Sequence, residues 1–346
     1  MSNPIRIGLV GLGRAGWDMH CEEFGDKTDK FKLVAVCDLI DSRCQAAKER
    51  FGCKTYSKIE DLIADPDVEI VDIATRSCDH FKHAMMALEA GKDVFLEKPM
   101  TSDYEQAKKL QEYVSRPGAP KLFIRHNRRF EPGFMHVRKI LDSGILGKIL
   151  SIKLNRDSWG RRDDWQTLEE FSGGQLRNWG PHIVDHAMQF LGGEYESIFC
   201  DCKNAISLGD AEDHLKIVFR GKDGMLVDME ISGATALPNP QYKINGTRGS
   251  LVSEGCNFHL KYVDPKQVFQ DRKASRETPD DGNFGTPEVI NWIEETIPME
   301  KGSMARIWDE LYAAYREGVP FPVTLDQAVA NMKVISYVKE HGGMKK

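Results

Sequence analysis

What this chain lacks narrows its function first. Among 346 residues no apolar run approaches the ~18 residues that a membrane-crossing helix needs, so no membrane partner is expected. There is no basic excess either: 47 Lys and Arg stand against 53 Asp and Glu, for a net charge of −6. A nucleic-acid binder would carry a basic face, and none is expected. The eight cysteines (Cys21, Cys37, Cys44, Cys53, Cys78, Cys200, Cys202 and Cys256) form no C-x-x-C pair. Cys200 and Cys202 would share one face of a strand, but no further ligands lie nearby, so no metal is expected. Scattered thiols suit a reducing compartment, and the first residues carry no apolar signal stretch; a cytoplasmic location is the expectation. Internal repeats and low-complexity segments are missing too. The remaining composition, 41% hydrophobic and 29% charged, is that of an ordinary globular protein long enough for two cores.

Against these absences one segment stands out. Gly11-Leu12-Gly13-Arg14-Ala15-Gly16 reads G-x-G-x-x-G and follows directly on the apolar run Ile5–Val10. A strand ending in such a turn lets backbone lie against a pyrophosphate, while the next helix aims free N–H groups at the charge. Glycines also cluster in ordinary tight turns. Here a second apolar run, Leu33–Cys37, ends in Asp38, 22 residues past Gly16. That is where a dinucleotide-binding unit places the carboxylate for a ribose 2′-hydroxyl. NAD is therefore the expected cofactor. NADP remains possible through Arg43, whose other reading is a helix-surface arginine.

Further strands are expected at Ile70–Ala74, Val94–Leu96 and Leu122–Arg125, as continuous apolar runs suited to a parallel sheet buried on both faces. Between them Ser42 is expected to cap a helix that Gly52 stops, Gly91 to close another, and Ser102-x-x-Glu105 to form a capping box. Residues 1–125 thus read as a doubly wound α/β Rossmann domain. After residue 126 the pattern changes. A helix at Phe134–Leu141 precedes β-rich runs at Ile149–Leu154, Leu215–Phe219, Met225–Ile231, Tyr242–Asn245 and Phe258–Val263, and helices return at Ser303–Glu317 and Leu325–Glu340. Residues 126–346 are expected to form an α+β domain around a large, mostly antiparallel open sheet. The stretch Arg272–Gly285 reads as a surface loop. Met225–Ile231 places apolar residues on both faces, which favours a homodimer or homotetramer packed through the sheet's outer face.

The second chemical segment is Glu97-Lys98-Pro99, at the carboxyl end of a central strand, where ligands of open α/β sheets bind. A lysine there can exchange a proton with a substrate hydroxyl, or it can be a solvated lysine in a loop. Pro99 is a candidate for a cis bond.

Together these segments resemble the glucose–fructose oxidoreductase / inositol dehydrogenase (Gfo/Idh/MocA) family. The likeness runs through Ala74, Thr75 and His80, then Ala87–Lys92, Glu97-Lys98-Pro99 and Asn127-Arg128-Arg129-Phe130-Glu131-Pro132. It continues to Gly173-Gly174-Gln175-Leu176-Arg177-Asn178-Trp179-Gly180-Pro181-His182-Ile183-Val184-Asp185. The resemblance implies an NAD(P)-dependent oxidoreductase acting on a hydroxyl of a sugar or cyclitol. It implies catalytic roles for Lys98 and His182, and makes Asp185, the second carboxylate of the motif, an expected substrate contact beside Asn178. Glu97, Lys98 and Asn127 join Ala74, Thr75 and His80 as expected cofactor contacts. Asn178 departs from the pattern, occupying the position of the family's first motif aspartate. An amide orients by hydrogen bonding but carries no charge and takes no proton. Whether Asn178 binds substrate or the chemistry differs stays open. Arg128 and the loop residues Trp159, Arg162, Trp165 and Trp179 are candidate sugar contacts, the tryptophans through flat apolar faces; equally, that loop can be a charged surface or a subunit contact. Two rival functions are cofactor-assisted elimination or glycoside cleavage without net redox, and a non-catalytic cofactor-bound sensor or scaffold.

Overall fold

A computed structural model of the chain describes residues 3–271, 273–274, 276–277 and 288–343. The loop expected at Arg272–Gly285 lies largely outside the described residues.

The first sheet has six parallel strands: β1 (Ile5–Val10), β2 (Phe31–Cys37), β3 (Lys54–Tyr56), β4 (Ile70–Ile73), β5 (Asp93–Glu97) and β6 (Leu122–Arg125). Their order is β3-β2-β1-β4-β5-β6. Chain order reverses between β1 and β4, and the crevice of a doubly wound fold opens at that point. All four residues of β4 are buried, as a strand covered on both faces requires. β3 escaped the sequence pattern because three residues with an exposed lysine show no periodicity.

Two helix starts differ from expectation. The helix Asp41–Phe51 begins before Ser42, because the Asp38 carboxylate accepts the Ile40 amide at 2.8 Å and turns the chain earlier. The expected Ser102/Glu105 box is displaced by one residue: Asp103 caps the helix Tyr104–Val114 by accepting the Gln106 amide at 2.8 Å. The Ser102 hydroxyl instead lies 2.6 Å from that of Ser172, across to the second sheet's side of the molecule. Gly52 does stop its helix, in the left-handed region at φ +66°.

The second sheet contains β7 (Ile149–Asp157), β8 (Ser197–Lys203), β9 (His214–Arg220), β10 (Leu226–Ser232), β11 (Tyr242–Gly246), β12 (Gly249–Glu254), β13 (Asn257–Val263) and β14 (Trp292–Pro298). The order is β14-β13-β12-β11-β7-β10-β9-β8, antiparallel throughout except for β7 with β10. Its inner face, including Leu215, Ile217, Val227, Met229, Ile244 and Leu260, is buried with residues of the helices Gly180–Phe190 and Leu325–His341. The outer face is more polar than Met225–Ile231 suggested. Met225 precedes β10, and beside Leu226 the outward residues are Asp228 and Glu230, both ion-paired to Lys216 across the β9–β10 register. β8, β12 and β14 were not legible in the sequence, since their alternation is diluted by Asp, Ser and Glu.

Past the second sheet the chain returns to the first. In the helix Arg306–Tyr312, Trp308 is fully buried, with ring centroids 4.9 Å from Phe24, 5.3 Å from Phe31 and 5.0 Å from Phe95. A core built on β1, β2 and β5 is therefore completed by a residue far beyond position 125.

Candidate active site

The glycine turn passes a steric test for a bound dinucleotide. A Cβ on Gly11 would meet the Ala74 carbonyl oxygen at 2.6 Å, and one on Gly16 would meet the Gly11 oxygen at 1.9 Å. A Cβ on Gly13 would meet nothing within 4 Å. The first and third glycines are thus demanded by the turn and by close packing, while the second has open space beside it, which the close approach of a pyrophosphate would require. Asp38 completes the cradle: its Oδ2 accepts the Leu12 amide at 2.6 Å, and Arg43 lies 3.6 Å from the same oxygen. Each carboxylate oxygen has a second lone pair and keeps capacity for a ribose hydroxyl. Ala74 and Thr75 follow β4 at the reversal point, and Ala74 donates its amide to Val10 at 2.8 Å.

Two expected cofactor contacts lie behind this surface instead. His80 is 1% exposed and bridges the carbonyls of Pro99 (2.7 Å) and Thr75 (3.1 Å), so it ties two loops of the crevice together. Glu97 is buried against His20, Arg125 and the Lys98 amide. Glu97 ends β5, where strand alternation turns its side chain to His20 and Arg125, while His80 opens the helix His80–Glu89 at a buried position. Asn127, also buried, opens the 3₁₀ turn Asn127–Phe130.

Lys98 precedes Pro99 through a cis peptide bond, as expected. Its Nζ donates to the main-chain oxygen of Asn178 at 3.2 Å, which brings the end of β5 to the helix carrying the histidine motif. Burial lowers the Lys98 pKa; Arg125, Arg128 and Arg14 lower it further, while Glu97 opposes them. A depressed lysine is suited to taking a hydroxyl proton near neutral pH. His182 lies in the first turn of Gly180–Phe190, where Pro181 supplies a helix-ready φ and has no N–H to leave unpaired. Its Nδ1 is buried without a partner. Burial, then Lys98 and Arg128, hold its pKa well below the ordinary value, so the ring is neutral.

Asn178 lines a shallow surface cleft with Gly160, Arg162, Gln166, Thr167 and Gln175. Arg162 is held at its rim by Asp164 and Gln166. Trp179 does not present a bare face: the Arg128 and Arg156 guanidinium carbons lie 4.3 and 4.9 Å from its ring centroid, and both arginines pair with Glu131. Trp165 opens a 3₁₀ turn beside the cleft, whereas Trp159 is 60% exposed and bridges to Ala234. Asp185, expected to contact substrate, is engaged within the protein. Both its oxygens accept from Arg129, at 2.8 and 2.6 Å, and it is 3% exposed. On an inward-facing helix position the carboxylate requires that cation. Among the described residues no group of His, Cys, Asp and Glu could hold a metal ion.

His126 stands between β6 and the turn Asn127–Phe130. It is buried, its Nδ1 has no partner, and burial drives its pKa down to about 4. The only sequence signal was its place just before Asn127. Gln166 and Thr167 had no signal, because loop folding alone brings them beside Asn178.

These histidines predict a pH response. The unfolded chain binds the His126 proton near 6.5, the folded chain only near 4, so between those values the unfolded state holds more protons. Stability is lost as pH falls through that window, by roughly 3 kcal/mol for His126 alone, and His182 acts in the same direction. Urea midpoints should fall steadily below about pH 6.5; a flat profile down to about pH 4.5 would contradict the assignment of neutral rings.

Comparison with known proteins agrees with this geometry. Residues 5–125 match the family described as "Oxidoreductase family, NAD-binding Rossmann fold", and residues 134–252 match the "GFO/IDH/MocA C-terminal domain". The chain is 30% identical over 256 residues to the inositol 2-dehydrogenase of Rhizobium meliloti (strain 1021), covering 72% of this chain and 76% of that protein. The chain belongs to the Gfo/Idh/MocA family. It is an NAD(P)-dependent oxidoreductase of that family. The scyllo-inositol 2-dehydrogenase (NADP(+)) IolW of Bacillus subtilis (strain 168) is 25% identical over 345 residues, covering 98% of this chain and 94% of that protein. Among solved structures, an NAD-binding protein from Listeria innocua shares the fold with a TM-score of 0.82 at 20% identity, covering 98% of this chain and 95% of that one.

Proposed function

We propose that this enzyme oxidises a secondary hydroxyl of a cyclitol or sugar, or runs the reverse reduction. Lys98 is the proton acceptor and His182 its partner on the substrate oxygen. The observation that carries the reading is the contact of Lys98 Nζ with the main chain of Asn178, a residue that lines the shallow cleft. Gly11, Leu12, Gly13, Arg14, Ala15 and Gly16 would hold the pyrophosphate and Asp38 the adenosine ribose, with Ala74, Thr75 and Asn127 toward the nicotinamide end. When bound, the cofactor supplies hydride transfer at its nicotinamide. The chain's own residues handle the proton. A lysine with a depressed pKa takes it from the hydroxyl, a neutral imidazole can accept or donate a hydrogen bond at the same oxygen, and the Asn178 amide orients a neighbouring hydroxyl. Because two relatives carry names of inositol dehydrogenases, cyclitols come first in the substrate series. A panel of cyclitols, sugars and glycosides should yield reduced cofactor, read by its absorbance, with at least one of them. Product release without reduced cofactor would move the reading to elimination or glycoside cleavage.

NAD is the proposed preference. A 2′-phosphate would meet the Asp38 carboxylate, and Leu39 and Ile40 supply no cation. Arg43 works against this, standing 3.6 Å from Asp38. Asp38→Ala should weaken NAD binding by about tenfold and narrow its margin over NADP. Tighter binding of NADP than NAD by the parent chain would overturn the preference.

The proposed division of labour gives dinucleotide binding chiefly to residues 1–125 and substrate binding and self-association chiefly to residues 126–346, with Asn127 reaching the cofactor and Arg306–Tyr312 packing on the first sheet. No helix among the described residues is long and apolar enough to cross a membrane, and the eight cysteines are free thiols, which suits the cytoplasm. Phe199 (61% exposed), Leu226 (38%) and Trp292 (50%) stand among ion pairs on the outer face of the second sheet. Pairing of that face in a homodimer or homotetramer is the expected assembly, and a monomer mass by light scattering at micromolar concentration would rule it out.

A further inference from the structure

The helix after the glycine turn opens as a π-helix, Ala15–Cys21, and the wide turn carries His20 inward until none of its side chain is exposed. Such turns are rare and recur at functional sites. Both ring nitrogens meet carboxylates. Nδ1 lies 2.7 Å from Asp72 Oδ2 and Nε2 lies 3.0 Å from Glu97 Oε1. A carboxylate oxygen facing a ring nitrogen accepts a proton from it, so two such partners call for both N–H groups and a charged ring. Burial alone would lower the His20 pKa, yet Asp72 and Glu97 outweigh it and the value is raised.

The same contacts lead to the site. Glu97 Oε1 also takes Arg125, while its Oε2 accepts the Lys98 amide at 3.0 Å. Arg125 continues to Glu23, which accepts the Trp308 indole N–H at 2.9 Å. His20 is faced by Asp72 from β4, by Glu97 from β5 and by Arg125 from β6; Phe95 and Trp308 contribute only rings. Three carboxylates and two cations leave one negative charge in the buried layer behind Lys98. Loss of the His20 proton would leave two and would turn a lone pair toward a carboxylate.

We propose that His20 is a positioning residue for Lys98: a buried imidazolium, clamped between Asp72 and Glu97, that holds the Glu97 carboxylate under the Lys98 amide and balances its charge. It rests on the reading of Lys98 as the proton-transfer group. The ring touches neither substrate nor cofactor; it acts through Glu97 on where the lysine stands and on how readily the lysine gives up its proton.

Competitive acetylation of the folded chain across pH, resolved by mass spectrometry, titrates Lys98 without needing a substrate. In His20→Gln the Lys98 midpoint should rise by roughly one unit, because a buried cation has been removed behind it. Adding Asp72→Asn to His20→Gln removes the matching anion and should return the midpoint close to that of the parent. The exposed Lys109 should not move in either variant. An unmoved Lys98 midpoint in His20→Gln, or one that the second substitution fails to restore, would overturn the proposal. Should His20→Gln not accumulate as folded protein, the parent chain decides. In ¹⁵N-histidine spectra the His20 ring should carry protons on both nitrogens at neutral pH, and a neutral ring there would overturn the proposal equally. Full turnover by Lys98→Met would instead remove the reading on which the proposal rests, so the two failures are told apart.

Discussion

Lys98→Met should lower turnover by about 10²–10⁴ while NAD binds nearly as well as to the parent. The substitution keeps the length and apolar stem of the side chain, so the end of β5 and the cis bond to Pro99 keep their packing. What disappears is the amine, whose pKa is depressed by burial and by Arg125, Arg128 and Arg14. The glycine turn and Asp38 would hold the dinucleotide, whereas Lys98 Nζ makes its hydrogen bond to the Asn178 main chain. His182→Ala should behave alike, since its unpartnered Nδ1 adds nothing to the cradle. Steady-state kinetics and fluorescence titration of the cofactor separate the two effects. Full activity in both variants would mean that the proton path is assigned wrongly. Asn178→Asp probes the departure from the family motif. If the amide only replaces a tolerated aspartate, activity is kept or rises near neutral pH. If it contacts substrate as a donor, catalysis falls sharply.

Asp185→Ala should cost about 3–5 kcal/mol of stability, the loss expected when one partner of a buried ion pair is removed. Arg129 is 7% exposed and makes four hydrogen bonds: two to Asp185, one to the Pro322 carbonyl and one to Gln327 Oε1, both at 2.7 Å. It thereby joins the turn Asn127–Phe130 to the helix Gly180–Phe190 and to the chain entering Leu325–His341. Without the carboxylate a buried guanidinium keeps only neutral acceptors. Asp185→Asn, which retains an acceptor oxygen, should lose less. Urea unfolding at neutral pH measures both, and a loss in Asp185→Ala below about 1 kcal/mol would place the pair among weak surface contacts.

The contrast between Asp185 and Lys98 shows where sequence reading stops. Both stand in recognisable motifs, and both motifs were found. The E-K-P segment stands at the carboxyl end of β5, the end at which a doubly wound sheet binds ligands, and there Lys98 meets the Asn178 main chain. Asp185 sits on a helix, and which face of that helix meets the cleft depends on what packs against it. Arg129 takes the carboxylate, and no spacing in the chain announces that partnership. Trp179 follows the same logic: its aromatic ring was visible, but the two arginines stacked near it were not.

The amino-acid sequence by itself determined the parallel and the antiparallel sheet with most of their strands, β3, β8, β12 and β14 aside, together with the dinucleotide turn and the family. Those features rest on local signals: apolar runs, glycines where a Cβ cannot fit, and a carboxylate at a set distance from them. Only the tertiary structure decided what lies behind the site. It brought His20 between Asp72 and Glu97, residues 52 and 77 positions away, and returned Trp308 to close the core above them. Buried charge is balanced by whichever partner the fold delivers, and that pairing is a property of packing rather than of any segment read alone.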